Sequence, residues 1–299
     1  MLTKTATQDA SSIVFINGEF CAPEAALVNV NDRAFTFADG VYEGLLYAGG
    51  KIFEAQAHYE RLVRSASGCG FDLPMTFNEL QSVLSELIER NHLQFANAFI
   101  YLQISRGVAP RNHPFPTSQI SPTVYAFARP LEHKKEWELG CKVLLVPETR
   151  GSLCFIKSTA LLPNVLARQA AIERGATEAI FIKEGRLTEG SHTNICAIID
   201  ETLYTHPANE FILNGVTRMW VIETCKQLNI TYKEEAVSLE QLESADEAFI
   251  CGTTSMITPI IKFSYSSSLS LNNKEITKKV GDITLKLQKA LIHATGFTA

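Results

Sequence analysis

Two dipeptides near the N-terminus, Asn17-Gly18 and Gly49-Gly50, constrain the first part of this chain more than any other feature. Each stands between short apolar runs. Ile13-Val14-Phe15-Ile16 precedes the first and Glu19-Phe20 follows it; Leu45 to Ala48 precedes the second and Lys51-Ile52-Phe53 follows it. A two-residue connection needs positive φ at its turn positions, which Asn and Gly tolerate, and it sends the chain back antiparallel. The pattern predicts hairpins, not repeated strand–helix–strand crossovers.

Helices are marked by their own start signals. Thr76 and Glu79 have the spacing of a capping box, and Leu80, Val83, Leu84, Leu87 and Ile88 follow as one apolar stripe at helical period. The spacing also predicts helices over 58–67, 166–174 (with Gly175 as its C-terminal cap residue), 217–228 and 280–294, and one begun by the box Ser238 to Gln241. Strands are expected at 98–105, 123–128, 142–146, 178–182, 194–199, 203–205 and 248–251. Sheets with helices packed on them make this an α+β chain. A polar, charge-rich stretch at 131–138 reads as a linker between a small domain at 13–130 and a larger one at 139–299. Ser264 to Asn273 is serine-rich and is expected to be a surface loop; the polar start, 1–12, is expected to be a loose tail.

Composition narrows the class. A net charge of -5 with no long run of one sign gives no polyanion-binding face, so nucleic acid is not an expected partner. No window reaches the roughly 20 apolar residues of a membrane span, and the N-terminus lacks a signal-peptide core. The 7 cysteines are scattered without a Cys-x-x-Cys pair, which argues against a disulfide framework or a metal site and fits a cytoplasmic protein.

The chemistry centres on Lys157, in Phe155-Ile156-Lys157-Ser158, read as the end of an apolar strand. Downstream, Thr188-Glu189-Gly190-Ser191 reads as a turn before another strand. A lysine amine can form a Schiff base with an aldehyde, and a carboxylate can keep a pyridine nitrogen protonated; together they suggest a pyridoxal 5'-phosphate site. Such a site needs a phosphate cup. Gly215-Val216-Thr217-Arg218 opens a helix, whose N–H groups and dipole suit a dianion. Gly252-Thr253-Thr254-Ser255 offers a second nest of donors, and Arg61 a full positive charge. Taken singly, each piece also fits an ordinary role: a snorkelling lysine, a turn carboxylate, a common helix start, a solvated arginine.

Together the motifs resemble those of the fold-type IV pyridoxal phosphate enzymes. The matching stretches are Asp39-Gly40-Val41-Tyr42-Glu43, His58-x-x-Arg61-Leu62, Ile156-Lys157, Asn164-x-Leu166-Ala167, Thr188 to Ser191 with Asn194, Gly215 to Arg218, and Thr253-Thr254-Ser255-x-x-Thr258-Pro259. The resemblance implies a smaller N-terminal α/β sandwich and a larger, β-barrel-like C-terminal domain with surrounding helices. Lys157 is implied as the catalytic residue. Lys157, Glu189, Arg61, Leu213, Val216, Thr217, Thr253 and Thr254 would hold the cofactor, Leu213 against its ring.

Within that family the chain looks most like the D-amino-acid aminotransferases, through Arg106-Gly107-Val108-Ala109-Pro110-Arg111-Asn112-His113. A Pro-Arg-x-His-Pro stretch is stiff and suits a loop that presents donors to a carboxylate. The resemblance implies that Arg111 and His113 bind the substrate α-carboxylate with Tyr42, that the loop serves a partner subunit in a homodimer, and that a D-amino acid such as D-alanine exchanges its amino group with a 2-oxo acid such as 2-oxoglutarate. Gly44, His192 and Met256 depart from the pattern of the D-specific enzymes, the first two near the expected side-chain pocket. A branched-chain L-amino acid aminotransferase and an aminodeoxychorismate lyase remain as alternatives on the same scaffold.

Overall fold

The structure, a computed structural model, describes residues 12–269 and 275–298. The expected tail therefore lies outside the described residues apart from Ser12, as do positions 270–273 of the expected serine-rich loop. The chain divides into two compact units: Met1–Glu132 with Ile156–Ala160, and His133–Phe155 with Leu161–Ala299.

In the first unit the Asn17-Gly18 turn joins β1 (Val14–Ile16) to β2 (Glu19–Cys21), with both turn residues at positive φ. A short helix α1 (Arg33–Phe37), capped by the Asp32 side chain on the Ala34 N–H, leads into β3 (Gly40–Ala48). Gly49-Gly50, again at positive φ, turns β3 into β4 (Lys51–Ile52). Then come α2 (Ala55–Gly68), α3 (Phe77–Arg90), β5 (Ala98–Ser105) and β6 (Thr123–Pro130). The strands form one antiparallel sheet in the order β2-β1-β6-β5-β3-β4.

The Thr76 capping box is formed at the start of α3, and Leu80, Leu84, Leu87 and Ile88 are buried against the sheet. Each such side chain contributes about 1.5–3 kcal/mol of apolar burial. The other face of the sheet carries an aromatic row: Tyr42 stacks on Tyr101 at 5.7 Å, and Tyr101 on Phe127 at 5.3 Å. Gly44 lies in that row because a Cβ there would come within 2.9 Å of the Phe99 ring.

The second unit opens inside the stretch expected to be a linker. Glu136–Leu139 forms α4, fixed by Trp137, which is buried edge-on to Phe297 at 5.0 Å. The remaining elements are β7 (Cys141–Pro147), α5 (Leu162–Glu173), β8 (Glu178–Lys183), β9 (Arg186–Gly190), β10 (Asn194–Ile199), β11 (Thr202–Thr205), α6 (Val216–Gln227), β12 (Tyr232–Glu234), α7 (Leu239–Ser244), β13 (Glu247–Gly252), β14 (Met256–Tyr265), β15 (Glu275–Thr277) and α8 (Asp282–Thr295). Eight strands run in the order β12-β11-β10-β13-β14-β7-β8-β9, and β15 pairs with β14. The Gly190 N–H donates to the Thr193 carbonyl at 2.7 Å, so the last strand of this order leads straight into β10 near its start. The sheet therefore curls into a half-barrel, with α5 on β7 and β8 and α6 and α8 on β13. This is the α+β architecture expected from the sequence.

Three expectations are corrected. Glu189 does not sit in a turn: Arg186–Gly190 is a strand, returned from β8 by Glu184-Gly185 at positive φ. The five residues Arg-Leu-Thr-Glu-Gly have no apolar alternation, so pairing alone makes the strand. Ser264 and Tyr265 are not loop but the end of β14. That strand pairs antiparallel with β13 and then parallel with β7 across a register shift at Ile260/Lys262, and Pro259 within it hides it from pattern reading. The third concerns Lys157. Its neighbours form no strand of their own; the segment makes an isolated bridge, Ser158 to Val41, on the edge of β3 left open by the short β4.

Candidate active site

The site residues expected from the sequence fall into two groups. Tyr42, Arg61, Arg111, His113 and Lys157 belong to the first unit; Glu189, Leu213, Val216, Thr217, Thr253 and Thr254 belong to the second.

Lys157 is fixed through its backbone. Its N–H donates to the Ser65 hydroxyl at 3.1 Å, and its carbonyl accepts from the Tyr42 N–H at 3.0 Å. Thr159 adds a bond from its N–H to the Gly40 carbonyl (2.9 Å) and one from its hydroxyl to the Ala38 carbonyl (2.9 Å), and Ile156 packs on the first core. The amine is treated differently. Nζ lies 4.2 Å from the centre of the Tyr42 ring, a cation–π distance, and makes no hydrogen bond or ion pair among the described residues. A half-buried amine without a carboxylate partner is available for covalent chemistry.

Arg61 is buried beside Glu43. Nε donates to Oε1 at 2.7 Å and one Nη to Oε2 at 2.6 Å, while His58 Nδ1 donates to Oε2 at 2.8 Å. The i, i+3 spacing of His58 and Arg61 puts both on the face of α2 toward β3. Burial pulls the Glu43 carboxyl up, but the Arg61 charge and hydrogen bonds hold it down at about 2. Burial depresses the His58 imidazole against the upward pull of Glu43, which agrees with a neutral ring whose one N–H, on Nδ1, points at the carboxylate. The second Nη of Arg61 has no partner among the described residues.

Arg111 and His113 sit on an exposed loop docked on α1. The Arg111 guanidinium lies 4.9 Å from the Phe37 ring centre, and the His113 and Phe37 rings are 5.2 Å apart. The loop begins after Gly107, whose φ of +116° and contact with the Ser121 carbonyl (2.1 Å from an added Cβ) admit only glycine.

In the second unit, Glu189 is buried near the end of β9 and gathers donors. Oε2 accepts from the Leu213 N–H at 3.0 Å and from Asn194 Nδ2 at 3.2 Å, and Oε1 accepts from Arg150 Nη1. Arg150 was not anticipated from the sequence. It also pairs with Glu148 (2.7 Å), donates to the Phe211 carbonyl (3.2 Å) and covers the Phe181 ring at 4.1 Å. Burial works to lower the Arg150 pKa, but Glu148 and Glu189 raise it above its ordinary value. No motif marks Arg150 or Glu148; the only signal is two charged residues closing the apolar run of β7.

The helix start at α6 has the features of an anion cup. Its N-cap, Gly215, makes no side-chain cap, and the first N–H bonded back into the helix is that of Met219. The N–H groups of Val216, Thr217 and Arg218 are thus without acceptors among the described residues. Gly215 is required by closeness, since an added Cβ would lie 2.1 Å from Asn194 Oδ1, and Asn194 in turn donates to the Leu213 carbonyl at 2.9 Å. The hydroxyls of Thr217, Thr253 and Thr254 also have no hydrogen-bond partner among the described residues. The turn bearing Thr253 and Thr254 closes β13, the strand on which α6 packs. Arg218 is occupied elsewhere, by Asn214, the His206 carbonyl and Glu234.

His192 is the departure with the clearest setting. Its Nδ1 lies 2.7 Å from Oε2 of the fully buried Glu178, and its Nε2 3.4 Å from the Ser255 hydroxyl. Ser191 and Thr193 donate their hydroxyls to the same carboxylate.

In the first unit the Lys157 amine is a group that an aldehyde could engage; in the second, the fixed Glu189 carboxylate suits a pyridine N–H and the uncapped start of α6 suits a phosphate dianion, the groups that pyridoxal phosphate carries. The fold is that of a fold-type IV aminotransferase. The chain belongs to the family described as amino-transferase class IV, whose profile matches residues 40–263. It is 40% identical over 281 residues to the D-alanine aminotransferase of Staphylococcus aureus (strain N315), covering 92% of this chain and 95% of that one. It is 36% identical over 286 residues to the D-alanine aminotransferase of Bacillus licheniformis, covering 95% and 99%. Among solved structures, the branched-chain aminotransferase of Thermoproteus uzoniensis, determined with norvaline, superposes with a TM-score of 0.83 at 29% identity, over 96% of this chain and 95% of that one.

Proposed function

We propose that this protein is a pyridoxal phosphate-dependent aminotransferase that moves the amino group of D-amino acids, D-alanine among them, to a 2-oxo acid such as 2-oxoglutarate. The observation that carries the reading is the unpaired amine of Lys157 on a rigidly held backbone. The D-alanine aminotransferases at 36–40% identity support the substrate class.

When bound, the cofactor supplies an aldehyde and an electron-accepting ring. Lys157 Nζ would take the proton from the substrate α-carbon as base and, as acid, deliver it to the carbon of the cofactor's former aldehyde rather than back to the α-carbon. Glu189, held in one orientation by Arg150, Asn194 and the Leu213 N–H, accepts from the ring nitrogen. The N–H groups of Val216 and Thr217, the hydroxyls of Thr217, Thr253 and Thr254, and the remaining Nη of Arg61 bind the phosphate. Leu213 would lie against the ring. Arg111, His113 and Tyr42 bind the α-carboxylate, the arginine through a two-pronged hydrogen bond.

The exposed apolar face of α5 supports a homodimer. Seven free cysteines support a reducing compartment, the cytoplasm. No helix among the described residues is long and apolar enough to cross a membrane.

Lys157→Ala should purify without the visible absorbance of the bound cofactor and lose turnover by about a thousandfold or more. A variant as yellow and active as the parent would end the assignment. A panel of D- and L-amino acids with 2-oxoglutarate tests the substrate class. Turnover confined to L-leucine, L-isoleucine and L-valine would move the protein to the branched-chain activity, and pyruvate release from aminodeoxychorismate without an acceptor would make it a lyase.

A further inference from the structure

We infer that Arg33 is the positioning residue of the substrate clamp, holding the loop of Arg111 and His113 in its binding shape. The inference rests on the reading of Arg111 and His113 as carboxylate binders.

Arg33 opens α1 and is 3% exposed. Its guanidinium faces the loop from beneath. One Nη donates to the Asn112 carbonyl at 2.7 Å and to the Pro114 carbonyl at 3.5 Å; the other donates to the His113 carbonyl at 3.4 Å. Three consecutive carbonyls are thereby turned inward onto one cation. The residues between Arg111 and Phe115 must then bend around it, and the side chains of Arg111 and His113 are set by that bend. The Phe37 ring joins the same cluster, 4.7 Å from the Arg33 guanidinium, 4.9 Å from that of Arg111 and 5.2 Å from the His113 ring.

The cation is itself fixed. Nε donates to Asp39 Oδ2 at 2.7 Å. The same carboxylate takes two bonds from Arg106, at 2.7 and 3.1 Å, and Arg106 donates onward to the Cys69 and Gly70 carbonyls. Asp39 immediately precedes β3, the strand of Tyr42. One carboxylate thus ties the loop bearing Arg111 and His113 to the start of β3 in the same chain. The backbone repeats the link: Arg33 N–H to the Gly107 carbonyl at 2.9 Å, and Arg106 N–H to the Asp39 carbonyl at 3.1 Å. Only a planar guanidinium has enough N–H groups in a fixed fork to serve a carboxylate and three carbonyls at once. Lysine keeps the charge but cannot span them.

The test is a double-mutant cycle on the holoenzyme with Arg33→Lys, Arg111→Ala and the pair, read by steady-state kinetics with D-alanine and 2-oxoglutarate. Arg33→Lys keeps a cation beside Asp39, and Arg33→Ala runs in parallel so that one soluble variant suffices. Displacing a binding group by about an ångström costs on the order of a hundredfold in rate. Arg33→Lys should therefore lower kcat/KM for D-alanine tenfold to a hundredfold, mainly through KM, with the cofactor's visible absorbance unchanged. In the pair, adding Arg33→Lys to Arg111→Ala should cost little more, because both changes remove the same contact. If Arg111→Ala leaves kcat/KM intact, the carboxylate-clamp reading itself fails. If Arg111→Ala lowers it while Arg33→Lys leaves KM unchanged, or the two losses multiply independently, the assignment of Arg33 is overturned.

Discussion

Glu43 and Glu178 are buried carboxylates, one in each unit, and each stays ionised because its neighbours are donors. Burial raises both; the Arg61 charge brings Glu43 down from 4.5 to about 2, and His192 with Ser191 does the same for Glu178. In the unfolded chain both revert toward ordinary values. A lowered folded pKa adds stability that is complete above the unfolded value and is lost as pH falls toward the folded one. The window therefore runs from about pH 4.5 down to about 2, and at about 1.4 kcal/mol per unit each group is worth on the order of 3 kcal/mol across it. Urea-unfolding midpoints at pH 7, 5 and 3 should fall most between 5 and 3, and Glu178→Gln should be less stable at pH 7 yet flatter over the same range. A variant whose midpoints run parallel to those of the parent would remove Glu178 from this account. Residues of this kind are only half legible in a sequence. Glu43, His58 and Arg61 stand within recognisable motifs, but only the fold shows that they face one another. Arg150 and Glu178 stand in no motif, and their chemistry comes from strand pairing alone.

Elements were legible where a local rule sets them. The two glycine-bearing turns near the N-terminus and the two capping boxes are formed as expected, because each needs only residues within a few positions of one another. Strands β9 and β14 were not, since a polar edge strand and a bent strand carrying Pro259 lack the alternation that reveals a strand. The start of α6 shows how local and distant demands meet. Gly215 is legible as a residue before a helix, but its reason is distant: Asn194 Oδ1 occupies the space of its Cβ, and Asn194 also holds Glu189 and Leu213. Gly215→Ala would force Asn194 aside, disturbing the carboxylate and the uncapped N–H groups together. The expected result is a fall in pyridoxal phosphate affinity of tenfold or more, with a smaller change in melting temperature of the cofactor-free protein, since φ at 215 is -65° and alanine accepts it. Titration of the cofactor-free variant by absorbance measures this. Unchanged affinity would separate the Asn194 contact from cofactor binding.

At the scale of the whole molecule, α5 presents, among the described residues, an exposed apolar helical face that a second copy could cover. Its buried side consists of Ala167 and Ala171, while Leu162, Val165, Leu166 and Ile172 are each more than half exposed. Those four follow helical spacing, so they line one side of the helix. The sequence shows the apolar residues but not their exposure. Read alone, the run predicts an ordinary core helix, and only the shallow packing of two alanines on β7 and β8 leaves the larger residues outside. A monomer that exposes such a stripe loses roughly 1.5–3 kcal/mol for each large side chain it fails to bury. In a two-fold dimer each residue counts twice, because the same patch serves both copies. Leu166→Glu should therefore weaken association on the order of a hundredfold or more while leaving the buried side of the helix intact. Sedimentation over a range of concentrations should show the parent above the 33.0 kDa of a single chain and the variant returning to it on dilution. A parent that sediments as a single chain at micromolar concentration, or a variant with unchanged association, would assign the stripe a different role. It would also bear on the clamp: with Arg111 and His113 serving a partner's substrate, the Leu166→Glu variant should lose D-alanine turnover in step with its dissociation, and a fully active monomer would show that the loop serves its own chain.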